Sequence, residues 1–163
     1  MVGYLVKAAP DGECFYSPLV LSLHGSPMHS PRVLRIGERE LKSLVRKALS
    51  TPIEVCGLLL GRERGEVVEV VEVMEASNLA SSPYLFEVNP EDVYRALKEA
   101  EKRGVDLVGI YHSHPAAPNP SSKDQEGMRR WPMTWLIISS LDGSVKAYRL
   151  SEEGLEEVKV EEV

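Results

Sequence analysis

Val105-Asp106-Leu107-Val108-Gly109-Ile110-Tyr111-His112-Ser113-His114-Pro115 is an apolar run that ends in two histidines one residue apart. It follows a stretch that carries the marks of a helix. Asn89-Pro90-Glu91-Asp92 offers an N-cap, a proline at the first helical position and acids in the first turn, and Gly104 offers a stop. Val93, Ala96, Leu97 and Ala100 form its inward stripe. The run 105–112 therefore reads as a buried strand fed by a helix. On a strand, alternate side chains share a face, so His112 and His114 point the same way. Two imidazoles at a strand end, joined by a carboxylate from a nearby loop, make a His-His-Asp zinc site. Three protein ligands leave a coordination position open, the catalytic arrangement.

Upstream, Leu41, Leu44, Val45, Ala48 and Leu49 recur at helical spacing until Pro52 ends the helix. Residues 54–61 are short and apolar, a buried strand, and 66–75 alternate Val with Glu, a half-exposed one. Arg32 to Ile36 reads as a short strand, Asn78 to Pro83 as a loop that could border a substrate groove, and Tyr84 to Val88 as a further strand. Downstream, 134–141 and 145–150 flank Asp142-Gly143, a hairpin signal, and 155–163 adds a last strand. Strands outnumber helices but are interleaved with them, so the class is α/β (α+β) around one mixed sheet. Residues 1–31, punctuated by Pro10-Asp11-Gly12 and Gly25-Ser26-Pro27, read as an N-terminal extension of a domain spanning 32–163.

Composition narrows the function. A chain of 163 residues with 43% hydrophobic and 27% charged residues suggests one soluble domain with a sizeable core. The net charge of -6 argues against a general nucleic-acid binder. No apolar run is long enough to span a bilayer, and the start lacks the pattern of a signal peptide. Two cysteines, Cys14 and Cys56, are too few for a disulfide framework, so the expected setting is the cytoplasm. One Gln and three Asn beside plentiful Glu, Arg and Val give a thermophile-like bias.

Several residues carry two readings. Ser121-x-x-Asp124 fits a helix capping box as well as it fits a third zinc ligand. Hydrolysis of an amide also needs a proton acceptor near the metal's water. Glu54, ahead of Cys56-Gly57-Leu58-Leu59-Leu60-Gly61, is a candidate, although an acid at that place is commonly a solvated strand end. Cys56 reads as a small core residue, and Trp131 and Trp135 as packing. His24 and His29 lie in the extension.

Glu54 before the Cys-Gly-Leu-Leu-Leu-Gly run, then His112-Ser113-His114-Pro115, then Ser121-x-x-Asp124, resembles the JAMM (MPN-plus) metalloprotease family over roughly residue 32 to the C-terminus. The resemblance implies a cytidine-deaminase-like fold with a mixed, mostly antiparallel sheet flanked by helices. It implies one Zn2+ per chain on His112, His114 and Asp124. Glu54 would be general base and then acid, and Ser121 would help hold the oxyanion. The implied reaction is cleavage of isopeptide bonds to ubiquitin or ubiquitin-like proteins, with an archaeal-type and possible proteasome-associated setting. Two alternatives remain: processing of a small sulfur-carrier protein in cysteine or cofactor biosynthesis, and a non-catalytic scaffold, which predicts missing ligands. The segment between His114 and Asp124 is one residue shorter than the usual family spacing, within 116–119.

Overall fold

The computed structural model describes residues 31–81 and 84–163, and the backbone alone of 3–8 and 14–19. His24, His29 and the Cys14 side chain lie outside the described residues. β1 (Gly3–Ala8) and β2 (Cys14–Leu19) pair antiparallel as a separate hairpin.

The main domain runs β3 (Val33–Ile36), α1 (Glu38–Ser50), β4 (Cys56–Arg64), β5 (Val67–Ala76), α2 (Pro90–Arg103), β6 (Asp106–His114), α3 (Ser122–Arg130), β7 (Thr134–Ser139), β8 (Val145–Ser151) and β9 (Gly154–Glu162). In space the strands are ordered β3-β5-β4-β6-β7-β8-β9. β4 runs antiparallel to β5 and β6, and β8 antiparallel to β7 and β9. β6 and β7 are parallel, as are β3 with β5 and with β9. The short strand β3 joins the two ends, so the mixed sheet closes into a barrel. Closure gives every strand a neighbour on both sides along part of its length and so limits exposed edges.

The barrel wall has two apolar faces. Leu34, Leu59, Val68, Tyr111, Leu136 and Ile138 pack with Leu41, Leu44 and Ala48 of α1. Leu58, Leu60, Ile110, Trp135 and Ile137 pack with Val93, Ala96 and Ala100 of α2 and Met128 of α3. The second helix starts and stops as its sequence signals. The Asn89 side chain accepts from the Glu91 N–H, and Gly104 adopts φ 63°, a left-handed cap that costs glycine nothing.

A bulge decides which face the histidines occupy. Along β6, Gly109 pairs with Leu59 and Leu107 with Leu60, which leaves Val108 as the extra residue. Val108 therefore faces α1, and the alternation restarts beyond it. Ile110 joins the α2–α3 face, Tyr111 the α1 face, and His112 and His114 follow Ile110.

The strand expected over Tyr84 to Val88 is absent. A single bridge, Asn78 to Val88, forms instead. The backbone groups a partner strand would take are used locally: Leu79 N–H donates to Glu87 O, and the Asn78 side chain bonds Leu85 O and Glu87 N. The described residues of this stretch, 78–81 and 84–88, thus bond to one another as a loop.

β4 packs too closely on its neighbours to carry a side chain at Gly57. A Cβ there would lie 2.3 Å from Met74 O and 2.4 Å from the Tyr111 ring. The nearest atom is sheet backbone, so relief needs a strand to move. Gly57→Ala is expected to destabilise the fold by about 1–3 kcal/mol, read as a lower denaturant midpoint at unchanged slope.

Candidate active site

β6 delivers His112 and His114, and the first turn of α3 delivers Asp124 to the same point. His112 Nε2 lies 2.9 Å from His114 Nε2. Asp124 Oδ1 is 3.2 Å from His112 Nε2, and Asp124 Oδ2 is 3.1 Å from His114 Nε2. His112 is fully buried and Asp124 nearly so. Donor atoms around a tetrahedral ion at 2.0–2.1 Å sit about 3.3–3.4 Å from one another. The observed triangle is close to that size, and its two imidazole nitrogens and carboxylate are a donor set zinc accepts. The three side chains together fit a divalent cation.

The expected capping box at Ser121 and Asp124 forms, and the same carboxylate lies against both histidines. Ser121 caps α3: Asp124 N–H donates to Ser121 Oγ at 3.1 Å, and Ser121 N–H donates back to Asp124 Oδ2 at 2.6 Å. Ser121 Oγ–H also donates to Asp124 Oδ2 at 2.7 Å. The capping box therefore holds the carboxylate in place while its outer edge faces the imidazoles. The short loop before it is anchored too, since Tyr148 Oη–H donates to Asn119 Oδ1 at 3.0 Å. Ser140 donates from its N–H and its hydroxyl to His114 O, at 2.7 and 3.0 Å, fixing the end of β6.

Glu54 reaches the same cleft from a segment outside helix and strand. The carboxylate is buried, and with His114, Ser121 and Asp124 it lines a cleft of about 220 Å³. Ser113, on the opposite face of β6 from the histidines, explains the placement. Its Oγ accepts from Val55 N–H at 3.0 Å, and its N–H donates to Val55 O at 2.9 Å. The residue between the two histidines thus straps the Glu54 segment to their strand.

Two aromatic rings complete the wall. Phe86 stacks on His112, with centroids 4.2 Å apart, and Trp135 meets His112 edge-on at 5.9 Å. Beyond them a cavity of about 320 Å³ opens beside Asp124, lined by Leu58, Phe86, Val88, Val93, Ile110 and Trp135. Sequence patterns did not single out Phe86, Ser113, Asn78 or Ser140. Only the fold brings the first three to the site, although the place of Ser113 between the histidines is a local signal.

Burial and charge set the protonation states. Desolvation pushes Glu54 up to about 7, opposed by His114 and assisted by Asp124. Desolvation is also the largest influence on His112 and holds it below the ordinary histidine value, so it stays neutral and able to ligate. For His114, desolvation is outweighed by the hydrogen bond and charge of Asp124, and the value rises. Burial alone would raise Asp124, but hydrogen bonds from both histidines and Ser121 hold it well below the usual carboxylate range. Cys56 is pushed up to about 12 by desolvation first, then by Asp92 and Glu54, which makes it an inert thiol.

The chain and its fold have relatives. The family model "Prokaryotic homologs of the JAB domain" matches residues 38–151. The protein named Desampylase from Pyrococcus furiosus is 43% identical over 129 residues, covering 78% of this chain and 89% of that protein. The Probable TtuB-protein conjugate cleaving protease of Thermus thermophilus is 36% identical over 131 residues, 79% of this chain and 80% of that protein. The solved structure of protein DSY2949 from Desulfitobacterium hafniense superposes with a TM-score of 0.70 at 29% identity, covering 80% of this chain and 92% of that one. The fold and its relatives define a hydrolase of the JAMM isopeptidase type. The chain belongs to the prokaryotic JAB (JAB/MPN) family.

Proposed function

We propose that the protein is a zinc-dependent isopeptidase that hydrolyses the bond after the C-terminal glycine of ubiquitin or a ubiquitin-like modifier. The observation that carries this reading is the cluster of His112, His114 and Asp124, two of which, His114 and Asp124, line one cleft with buried Glu54. The names of the relatives support it: one is named a desampylase and one a probable TtuB-protein conjugate cleaving protease.

Zinc held by His112, His114 and Asp124 would supply a Lewis acid and a water acidic enough to lose its proton near neutrality. Glu54 would accept the proton of the attacking water and pass it to the departing lysine amine. Burial favours the protonated form of Glu54, the form that delivers a proton to the amine. The Ser121 hydroxyl supports the oxyanion by turning from Asp124 Oδ2 towards the cleft. Leu85 and Pro115 wall the cleft, and a tail ending in glycine carries no side chain to clash with them. The proposal includes one zinc per chain and a cytoplasmic setting. Among the described residues, no helix is long and apolar enough to cross a membrane.

A panel of conjugates tests the substrate class. Ubiquitin and TtuB are each joined through the C-terminal glycine to the ε-amine of a fluorescent lysine peptide, and release is followed by polarisation. Cleavage of at least one, abolished by a chelator and restored by zinc, is the expected result. No hydrolysis of any isopeptide by protein holding stoichiometric zinc would sink the proposal. Trimming confined to a sulfur-carrier conjugate would move the enzyme to cofactor or cysteine biosynthesis.

A further inference from the structure

We propose that Asn78 is the positioning residue for Glu54, and that it ties the carboxylate's backbone to the 78–88 loop flanking the cleft. This rests on the reading of Glu54 as the proton carrier. The Asn78 carboxamide is saturated. Nδ2 donates to Glu54 O at 3.0 Å and to Leu85 O at 3.1 Å, while Oδ1 accepts from Ala80 N–H and Glu87 N–H, each at 3.0 Å. Two carbonyls face one end and two N–H groups the other, so the orientation of the amide follows from its neighbours.

The need for such a group is local. Glu54 lies between the end of α1 and the first ladder pair of β4, Cys56 with Ala76 and His112, so no helix or strand bond holds its carbonyl. Ser113 fixes the next residue, Val55, from one side. Asn78 fixes the Glu54 carbonyl from the other. A buried carboxylate on a loosely held backbone would lose the alignment that proton transfer requires, and displacement by about 1 Å can cost 10²-fold in rate. The same side chain bonds Leu85 O, of a residue that lines the cleft, and Glu87 N–H, so its bonds lie on either side of Phe86, whose ring covers His112. The loop also keeps a backbone bond of its own, Leu79 N–H to Glu87 O at 2.8 Å, whereas the Glu54 carbonyl depends on the amide.

Chemistry separates Asn from its mimics. Asp can still accept from Ala80 and Glu87 but cannot donate to Glu54 O or Leu85 O. Asn78→Asp, Asn78→Ser and Asn78→Ala are compared with the parent and with Glu54→Gln, using TtuB or ubiquitin joined to the fluorescent lysine peptide. Zinc content and the affinity of the free modifier are measured on the same samples. All three Asn78 variants are expected to lose about 10–100-fold in kcat, with KM and modifier affinity within about threefold and zinc stoichiometry unchanged. Parent-like kcat in Asn78→Asp would overturn the proposal, because the loop amides alone would then suffice. So would a raised KM or weakened modifier affinity at unchanged kcat. If Asn78→Asp does not fold, Asn78→Ser carries the same comparison. Parent turnover in Glu54→Gln would instead overturn the role of Glu54, and this proposal with it.

Discussion

Glu54→Gln is expected to keep one zinc per chain and lose turnover by about 10²–10⁴-fold, the range that a positioned general acid–base contributes. Gln has nearly the shape of Glu and can stay in the same buried place, but it can neither take a proton nor deliver one. Zinc content separates this outcome from collapse of the metal centre. Stability gives a second signature. The folded Glu54 carboxyl sits at about 7, above its ordinary 4.5, because burial penalises the charged form. The folded protein thus binds a proton that the unfolded chain releases, and stability falls as pH rises from about 4.5 through 7. Above that window the metal-free parent bears the full cost of a buried carboxylate, on the order of 1–3 kcal/mol, which Gln avoids. Metal-free Glu54→Gln should therefore melt above the metal-free parent at pH 8 and near it at pH 4.5. Parent turnover in this variant would remove Glu54 from the reaction.

His114→Ala is expected to abolish stoichiometric zinc and, with it, hydrolysis. Losing residues that merely orient metal ligands costs about 10–100-fold in metal affinity, so losing a ligand itself should cost at least as much. His114 is a cleaner probe than Asp124. Replacing Asp124 would also remove the carboxylate half of the capping box that starts α3, so lost zinc and lost structure would be confused. Thermal melting provides the check. A metal that binds only the folded state stabilises it by mass action, so added zinc should raise the parent's melting temperature and a chelator should lower it. His114→Ala should show neither shift while retaining the parent's chelated melting behaviour. Stoichiometric zinc in the variant would show that His114 is not a ligand.

Much of the site was legible in the sequence because its chemistry is local. His112 and His114 are two residues apart on a strand, and the period of two alone puts them on one face. Asp124 follows Ser121 at the spacing of a capping box, so its position at a helix start could be read directly. Its meeting with both imidazoles could not, because it depends on α3 leaving the loop towards the end of β6. Glu54 shows the limit more sharply. It lies outside β4, where an acid is as readily a solvated strand end, and no spacing along the chain could place it beside His112. The strand expected over Tyr84 to Val88 failed for a related reason. β-propensity describes how a residue suits a sheet, but a strand also needs a partner, and here the Asn78 amide takes the loop's backbone groups.

By itself, the sequence determined the order of helices and strands in the domain except over Tyr84 to Val88, the shared face of the two histidines and the helix cap at Ser121. Each depends on groups a few residues apart, where backbone geometry leaves few alternatives. Tertiary structure alone decided that the sheet closes through β3, that the Val108 bulge turns the histidines towards α2 and α3, and that Ser113 and Asn78 draw Glu54 to them. Those outcomes depend on which distant backbone groups pair and on how the two faces of one barrel wall are filled. No spacing along the chain encodes either.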